Sequence, residues 1–159
     1  ADTYLAMCGE LRRHGFEHYE ISNFALPGFR SRHNSRYWDL SEYIGLGPGA
    51  HSLFGGRRFE FPRDITAFID GTSAVRNEEE VPDFERQNEY LMVRLRTSDG
   101  VDLRDLEKRY NIDSTPYEKV FSALRRPGLT EKSGTRWHLT EAGFLVSNSI
   151  INMITDAAT

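Results

Sequence analysis

One stretch, RNEEEVPD at residues 76–83, does more than any other to limit how this chain can fold. Four carboxylates and a proline follow one another there, with a single valine between them, so the segment reads as a boundary rather than as part of a core. It divides the 159 residues into two units, 1–75 and 76–159, and a chain of that length can bury a real core. Composition supports folded units: 38% of residues are hydrophobic and 28% charged.

Beyond the boundary the punctuation is regular. Phe84, Leu91, Met92 and Leu95 share one side of a helix spanning residues 83–96. DGVDLRDLEKRYN predicts a short strand and a helix capped by Asp102. DSTPYEKVFSALRRPG predicts another helix, capped by Ser114 or Thr115, with Pro116 in its first turn and Gly128 at its end. LTEKSGTRWHLT is a hairpin about Ser133-Gly134, and Thr140 caps a last helix carrying Phe144, Leu145, Ile151 and Ile154. Helix, short strand, helix, helix, hairpin, helix is the order of a winged helix. Charge argues against DNA as its ligand: residues 76–159 hold 12 Lys/Arg against 15 Asp/Glu, and each phosphate contact needs a positive partner. Packing or protein docking suits the unit better, and we expect no nucleic-acid partner.

The first unit opens with a helix carrying Leu5, Met7, Cys8 and Leu11 that stops at Gly15. In FEHYEISNF, Tyr19 and Ile21 alternate with His18, Glu20 and Ser22, which predicts a strand with one polar face. Helix then strand is the αβ half of an α/β repeat. Residues 34–40 suit a short helix, RRFEF a strand, and DITAFIDG a helix capped by Asp64 and ended by Gly71. Between them YIGLGPGAHS is apolar but glycine-broken, as in a loop hugging another backbone or a ligand. A phosphate cradle is disfavoured, because the Lys-Ser/Thr of a P-loop is missing and Pro48 removes an amide donor. His18 and Glu20 could serve as an acid–base pair or simply line an exposed strand face.

Cys8 is the only cysteine. An internal disulfide and a multi-cysteine zinc or iron–sulfur site are thereby excluded, and a reducing cytoplasm is the expected location. The five histidines show no metal-ligand spacing. No G-x-S-x-G elbow is present. No apolar run approaches the roughly 20 residues of a membrane span, and the N-terminus lacks a signal-peptide layout.

RHNSRYW, residues 32–38, remains. As a helix it sets His33 and Tyr37 one turn apart on one face, with Trp38 beside them. An imidazole can ligate haem iron, flat aromatics can flank a porphyrin, and arginines can pair with propionates. The plainer alternative has Asn34 capping the helix, Tyr37 and Trp38 in the core, and His33 satisfied by a carbonyl. The residues by themselves favour that alternative.

Taken together and in order, YEISNFALPG (19–28), HNSRYW (33–38) and YIGLGPGAHS (43–52) resemble the HemW-like radical SAM haem chaperones. Those proteins are relatives of the oxygen-independent coproporphyrinogen III oxidases. ERQNEYLMVRLRTSDGVDL and WHLTEAGFLVSN resemble that family's C-terminal domain. The resemblance implies an α/β (α+β) chain. Residues 1–75 would be the end of a radical SAM (βα)6-type barrel with the HN-x-x-YW motif, and residues 76–159 a winged-helix-like C-terminal domain. It implies a haem motif of His33, Asn34, Tyr37 and Trp38, with His33 the iron ligand. Ala25 and Ile44 match positions that meet S-adenosylmethionine in the oxidase relatives. The family's CxxxCxxC motif, which holds a [4Fe–4S] cluster, is not in this chain, so the resemblance implies a C-terminal part without catalytic residues of its own. The expected partners are haem or porphyrin, haem-acceptor proteins and the missing N-terminal half of the barrel. Without that half, a sheet edge and an inner face stand uncovered, open to rearrangement or to a second copy.

Overall fold

The computed structural model describes residues 1–80 and 82–158. Helix α1 (Asp2–Arg13) closes through Gly15, whose N–H reaches the Arg12 carbonyl at 2.9 Å. Its apolar residues divide: Cys8 is buried, while Leu5 and Met7 are exposed.

FEHYEISNF is not one strand. It folds as a hairpin of β1 (Glu17–Glu20) and β2 (Asn23–Ala25), turning at Ile21-Ser22. The period of two misleads because the polar positions are not on an outer face. Glu20 is 2% exposed, and its carboxylate accepts the Ser22 N–H at 2.9 Å together with the Asn23 side-chain amide, which bends the chain back. His18 is likewise covered, its side chain 9% exposed. An open acid–base face does not exist here.

Helix α2 (Arg32–Trp38) follows, then a glycine-rich loop. A three-stranded sheet comes next, built from β3 (His51–Phe54), β4 (Arg57–Glu60) and β5 (Arg76–Glu80), with α3 (Ile65–Ile69) between its last two strands. Asp64 caps α3 by accepting the Ala67 N–H at 2.9 Å. The acidic stretch is thus partly a strand, and its carboxylates meet the arginines of β4: Arg57 pairs with Glu78 at 2.9 Å and Arg58 with Glu79 at 3.9 Å. A division at residues 75/76 would detach β5 from its sheet.

Helix α4 (Asp83–Arg94) begins the second part. Leu91 and Leu95 are buried as the periodicity predicts, but Met92 is 44% exposed, and the Phe84 side chain lies outside the described residues. Then come β6 (Val101–Asp102), α5 (Leu103–Tyr110), α6 (Thr115–Arg125), β7 (Thr130–Ser133), β8 (Arg136–Leu139), α7 (Glu141–Leu145) and α8 (Ser147–Thr155). The strand order is β6-β8-β7, antiparallel throughout. Asp102 caps α5 through the Arg104 and Asp105 N–H groups. Near α6, Asp113 accepts the Thr115 N–H at 2.9 Å, whereas Ser114 donates its hydroxyl to Glu107. The last helix is broken at Val146. The bend turns Ile150, Ile151 and Ile154 into the core, while Leu145 stays 38% exposed.

The core belongs to the second part. Leu91, Leu95, Val101, Leu106, Tyr117, Phe121, Trp137, Ile150 and Ile154 are essentially inaccessible to water, and Ile21 and Leu40 pack against the cluster from the first part. Three further ties hold the parts together. The Ile21 N–H donates to the Arg96 carbonyl at 3.1 Å, and the Ser98 N–H to the Tyr19 carbonyl at 3.0 Å. Arg30 pairs with both Glu17 and Asp99. The first part therefore docks on the second through its backbone as well as its side chains.

Candidate functional site

Helix α2 forms because Ser31 caps it: its hydroxyl accepts the Asn34 N–H at 3.2 Å, and its carbonyl accepts the Ser35 hydroxyl at 2.8 Å. Asn34 is therefore three residues inside the helix and does not cap it. The helix ends at Trp38, and just past its Asp39 cap stands Leu40, a non-glycine residue in the left-handed region (φ 56°) that packs against the core.

The helical spacing brings His33 and Tyr37 together as expected. His33 is exposed, and its Nε2 lies 2.9 Å from the Tyr37 hydroxyl, the rings meeting edge-on at 5.1 Å. Tyr37 in turn meets Tyr43 edge-on at 4.6 Å. Burial pushes the Tyr43 phenol up, with the neighbouring Tyr37 adding to the effect. Trp38 is half-buried beneath the Arg96 guanidinium, 5.5 Å from its ring, and its indole N–H is buried without a hydrogen-bond partner. Tyr37, Trp38 and Tyr43, with Leu40, Leu53 and Val93, line a cavity of about 190 Å³ whose lining does not include His33. A larger one of about 530 Å³ adjoins it through the shared Leu40, Leu53 and Glu89.

The neighbouring arginines are not equivalent. Arg30 is held by Glu17 and Asp99, and Arg36 donates to the Glu42 carbonyl at 2.9 Å. Arg32 is exposed.

The glycine-rich loop is tight because backbone lies against backbone. A Cβ on Gly45 would stand 2.2 Å from the His51 carbonyl oxygen, which excludes any side chain there. Its N–H groups are used internally: Gly45 donates to the Ser52 hydroxyl, Gly49 to the Phe61 carbonyl and Ala50 to the Gly47 carbonyl. These donors are not free for a phosphate. Ile44, in this loop beside Tyr43, is 55% exposed, whereas Ala25 is buried at the end of the separate β1–β2 hairpin.

Residues 82–146 match the family model described as the HemN C-terminal domain. The chain is 31% identical over 156 residues to the heme chaperone HemW of Lactococcus lactis, an alignment covering 94% of this chain and 40% of that protein. It is also 31% identical to HemW of Bacillus subtilis, covering 94% and 41%. Among solved structures, the radical SAM enzyme coproporphyrinogen III oxidase (HemN) from Escherichia coli superposes with a TM-score of 0.69 at 13% identity, covering 95% of this chain and 39% of that one. The chain is similar to the C-terminal part of the HemW/HemN-like proteins.

It spans about 40% of the length of these curated HemW relatives and corresponds to the C-terminal part of the family. The residues of this HemW/HemN-like chain fit the family's groups unequally. A [4Fe–4S] cluster does not fit, since its thiolate ligands cannot come from the single Cys8. At α2 the exposed His33 imidazole, with one ring nitrogen held by Tyr37, is a donor of the kind that haem iron takes.

Sequence reasoning did not single out Tyr43 or Arg96 as neighbours of the motif. It also missed that Cys8, His18 and Glu141 converge, with one ligand atom from each lying within 4.8 Å of the others. Their separation along the chain hides them from any search by local spacing.

Proposed function

We propose that the protein to which this chain belongs carries haem on His33 and hands it to acceptor proteins. The observation that carries the reading is an exposed imidazole oriented by Tyr37 within HN-x-x-YW, in a chain whose relatives are haem chaperones. A neutral imidazole is an axial ligand for haem iron. Asn34 and Trp38 complete the motif, Trp38 being wedged between Arg96 and the cavity. That cavity, about 190 Å³, is smaller than the roughly 300–1,000 Å³ of an enclosing small-molecule pocket. Ligation at α2 then leaves the porphyrin accessible, as suits a carrier that must release its cargo. Exposed Arg32 is the cation best placed to meet a propionate.

In this reading the N-terminal half of the barrel supplies the [4Fe–4S] cluster and, with Ala25 and Ile44, the S-adenosylmethionine site. Exposed Leu26, Phe29, Ile44 and Leu46 are surfaces for that half to cover. The second part acts as a winged-helix-like docking module rather than a DNA reader. Lys132 is paired with Glu118 at 2.6 Å and Arg136 with Asp102 at 3.8 Å, so the hairpin cations are already engaged. Among the described residues no helix is long and apolar enough to cross a membrane, and we place the protein in the cytoplasm.

Haemin titration of native and His33→Ala protein tests the reading through the Soret band. A shifted, weakened band in the variant is expected, and identical spectra remove His33 from the ligand role. A second reading, that the parent is a coproporphyrinogen III oxidase decarboxylating two propionates, draws on the fold match to that enzyme. Fold alone does not carry activity. Protoporphyrinogen formation by the reconstituted parent would favour the oxidase.

A further inference from the structure

Where α1, β1 and the start of α7 meet, three side chains of different chemistry point at one spot. Cys8 is 1% exposed, the His18 side chain 9% and the Glu141 side chain 28%. The His18 Nδ1 is 3.8 Å from a Glu141 oxygen. It is buried, and among the described residues it has no hydrogen-bond partner. A buried polar atom left alone costs about 1–3 kcal/mol and calls for an explanation.

The rest of the ring explains which form it takes. Nε2 lies 3.1 Å from the Ile21 carbonyl, which can only accept, so Nε2 carries the proton and Nδ1 presents its lone pair. Phe24 stacks on the ring at 4.2 Å, with Phe144 and Tyr4 against its edges, which fixes its direction. Metal-ligating histidines show this pattern: one nitrogen donates to a backbone carbonyl and the other faces the metal. A nucleophile–base–acid triad would instead use both ring nitrogens, one toward each partner. Here the carboxylate faces Nδ1, Nε2 is taken by the Ile21 carbonyl, and the thiol lies within 4.8 Å of the imidazole and carboxylate ligand atoms.

We propose that Cys8, His18 and Glu141 form a binding site for a zinc-class divalent cation, distinct from the haem motif. One sulfur, one nitrogen and one oxygen suit zinc or cobalt rather than magnesium or calcium, which take oxygen donors. Thiolate and carboxylate together cancel the charge of a dication, leaving a neutral buried cluster. The ligand atoms now lie within 4.8 Å of one another. Zinc bonds of about 2.0–2.3 Å require them to close by roughly an ångström, which the partly exposed Glu141 side chain can supply. Arg12 is the nearby cation, paired with Glu141, and its side chain is 64% exposed, so it can remain on the carboxylate as an outer partner or withdraw into water. Burial, aided by the Glu141 charge, pushes the Cys8 thiol up, and a bound dication reverses that preference. The Tyr4 hydroxyl hydrogen-bonds the thiol and donates to the Ile21 carbonyl at 2.8 Å, closing the site on its inner side. Glu141 lies within the family-matched segment while Cys8 and His18 lie outside it, so the ion would clamp α1 and the hairpin to α7.

The test is a Co²⁺ titration of the full chain, followed by displacement with Zn²⁺. One equivalent should bind with a thiolate-to-cobalt charge-transfer band. Cys8→Ser should abolish that band and weaken zinc binding by about 100-fold or more, beyond the 10–100-fold that loss of an outer partner costs. Glu141→Gln should weaken zinc binding at least about 10-fold, and His33→Ala should leave it unchanged. Because Cys8 is the only thiol, the native spectrum decides even if a variant fails to fold. Absence of the sulfur–cobalt band from the folded chain overturns the proposal, as does zinc uptake that survives both Cys8→Ser and Glu141→Gln.

Discussion

Glu20 is the residue on which the junction between the two parts turns, and replacing it with alanine should loosen both the hairpin and the HN-x-x-YW helix. Its carboxylate is 2% exposed, accepts the Ser22 N–H at 2.9 Å and the Asn23 amide, and forms an ion pair with the Arg96 guanidinium at 3.6 Å. Arg96 also lies over Trp38 at 5.5 Å, so one guanidinium bridges the β1–β2 turn to α2. Hydrogen bonds to a charged group contribute about 1.5–3 kcal/mol each. Breaking a buried pair by removing one partner costs about 3–5 kcal/mol. The Arg96 side chain is 32% exposed and can rehydrate, which sets the expected loss for Glu20→Ala near the low end, about 3 kcal/mol. With a urea m-value of about 1–3 kcal/mol per molar, the unfolding midpoint should fall by roughly 1–3 M. Glu20→Gln keeps an acceptor for the Ser22 N–H and should cost about half as much. Trp38 fluorescence should change in the alanine variant before global unfolding. A Glu20→Ala unfolding free energy within about 0.5 kcal/mol of native, the range of an ordinary surface substitution, would refute the reasoning.

The core and the cap on α5 make two further predictions. Phe121 is fully buried and stacks on Trp137 with ring centroids 5.4 Å apart, so Phe121→Ala should cost about 3–5 kcal/mol in urea unfolding. Partial burial pushes the Asp102 carboxyl up, but the Thr135 hydroxyl, the Asp105 and Arg104 N–H groups and Arg136 together bring it below its ordinary value. A depressed folded value means that its stabilisation is present above about pH 4 and lost as pH falls through the folded pKa. The stability advantage of native protein over Asp102→Asn, followed by thermal melts from pH 7 to 2, should therefore shrink only below about pH 4. An advantage independent of pH would assign the effect to packing.

What the residues declared for themselves was local. Caps at Asp64, Asp102 and Thr140, the Ser133-Gly134 hairpin and the one-turn spacing of His33 and Tyr37 are short-range hydrogen bonding and helical geometry, and they stand in the fold as the sequence implies. Ordered motifs also made the family legible. Tertiary structure alone decided which polar groups go inside. Glu20 and His18 looked outward by alternation, yet the chain turns at Ser22 and docks on residues 96–98, because a buried carboxylate there accepts two hydrogen bonds and pairs with Arg96. It alone decided that Met92 stays outside while Ile21 and Leu40 join the core. It also gathered Cys8, His18 and Glu141, 133 positions apart from first to last. Periodicity reports the faces of one element at a time. Burial of a charge or convergence of ligands depends on partners far along the chain, which no local pattern encodes.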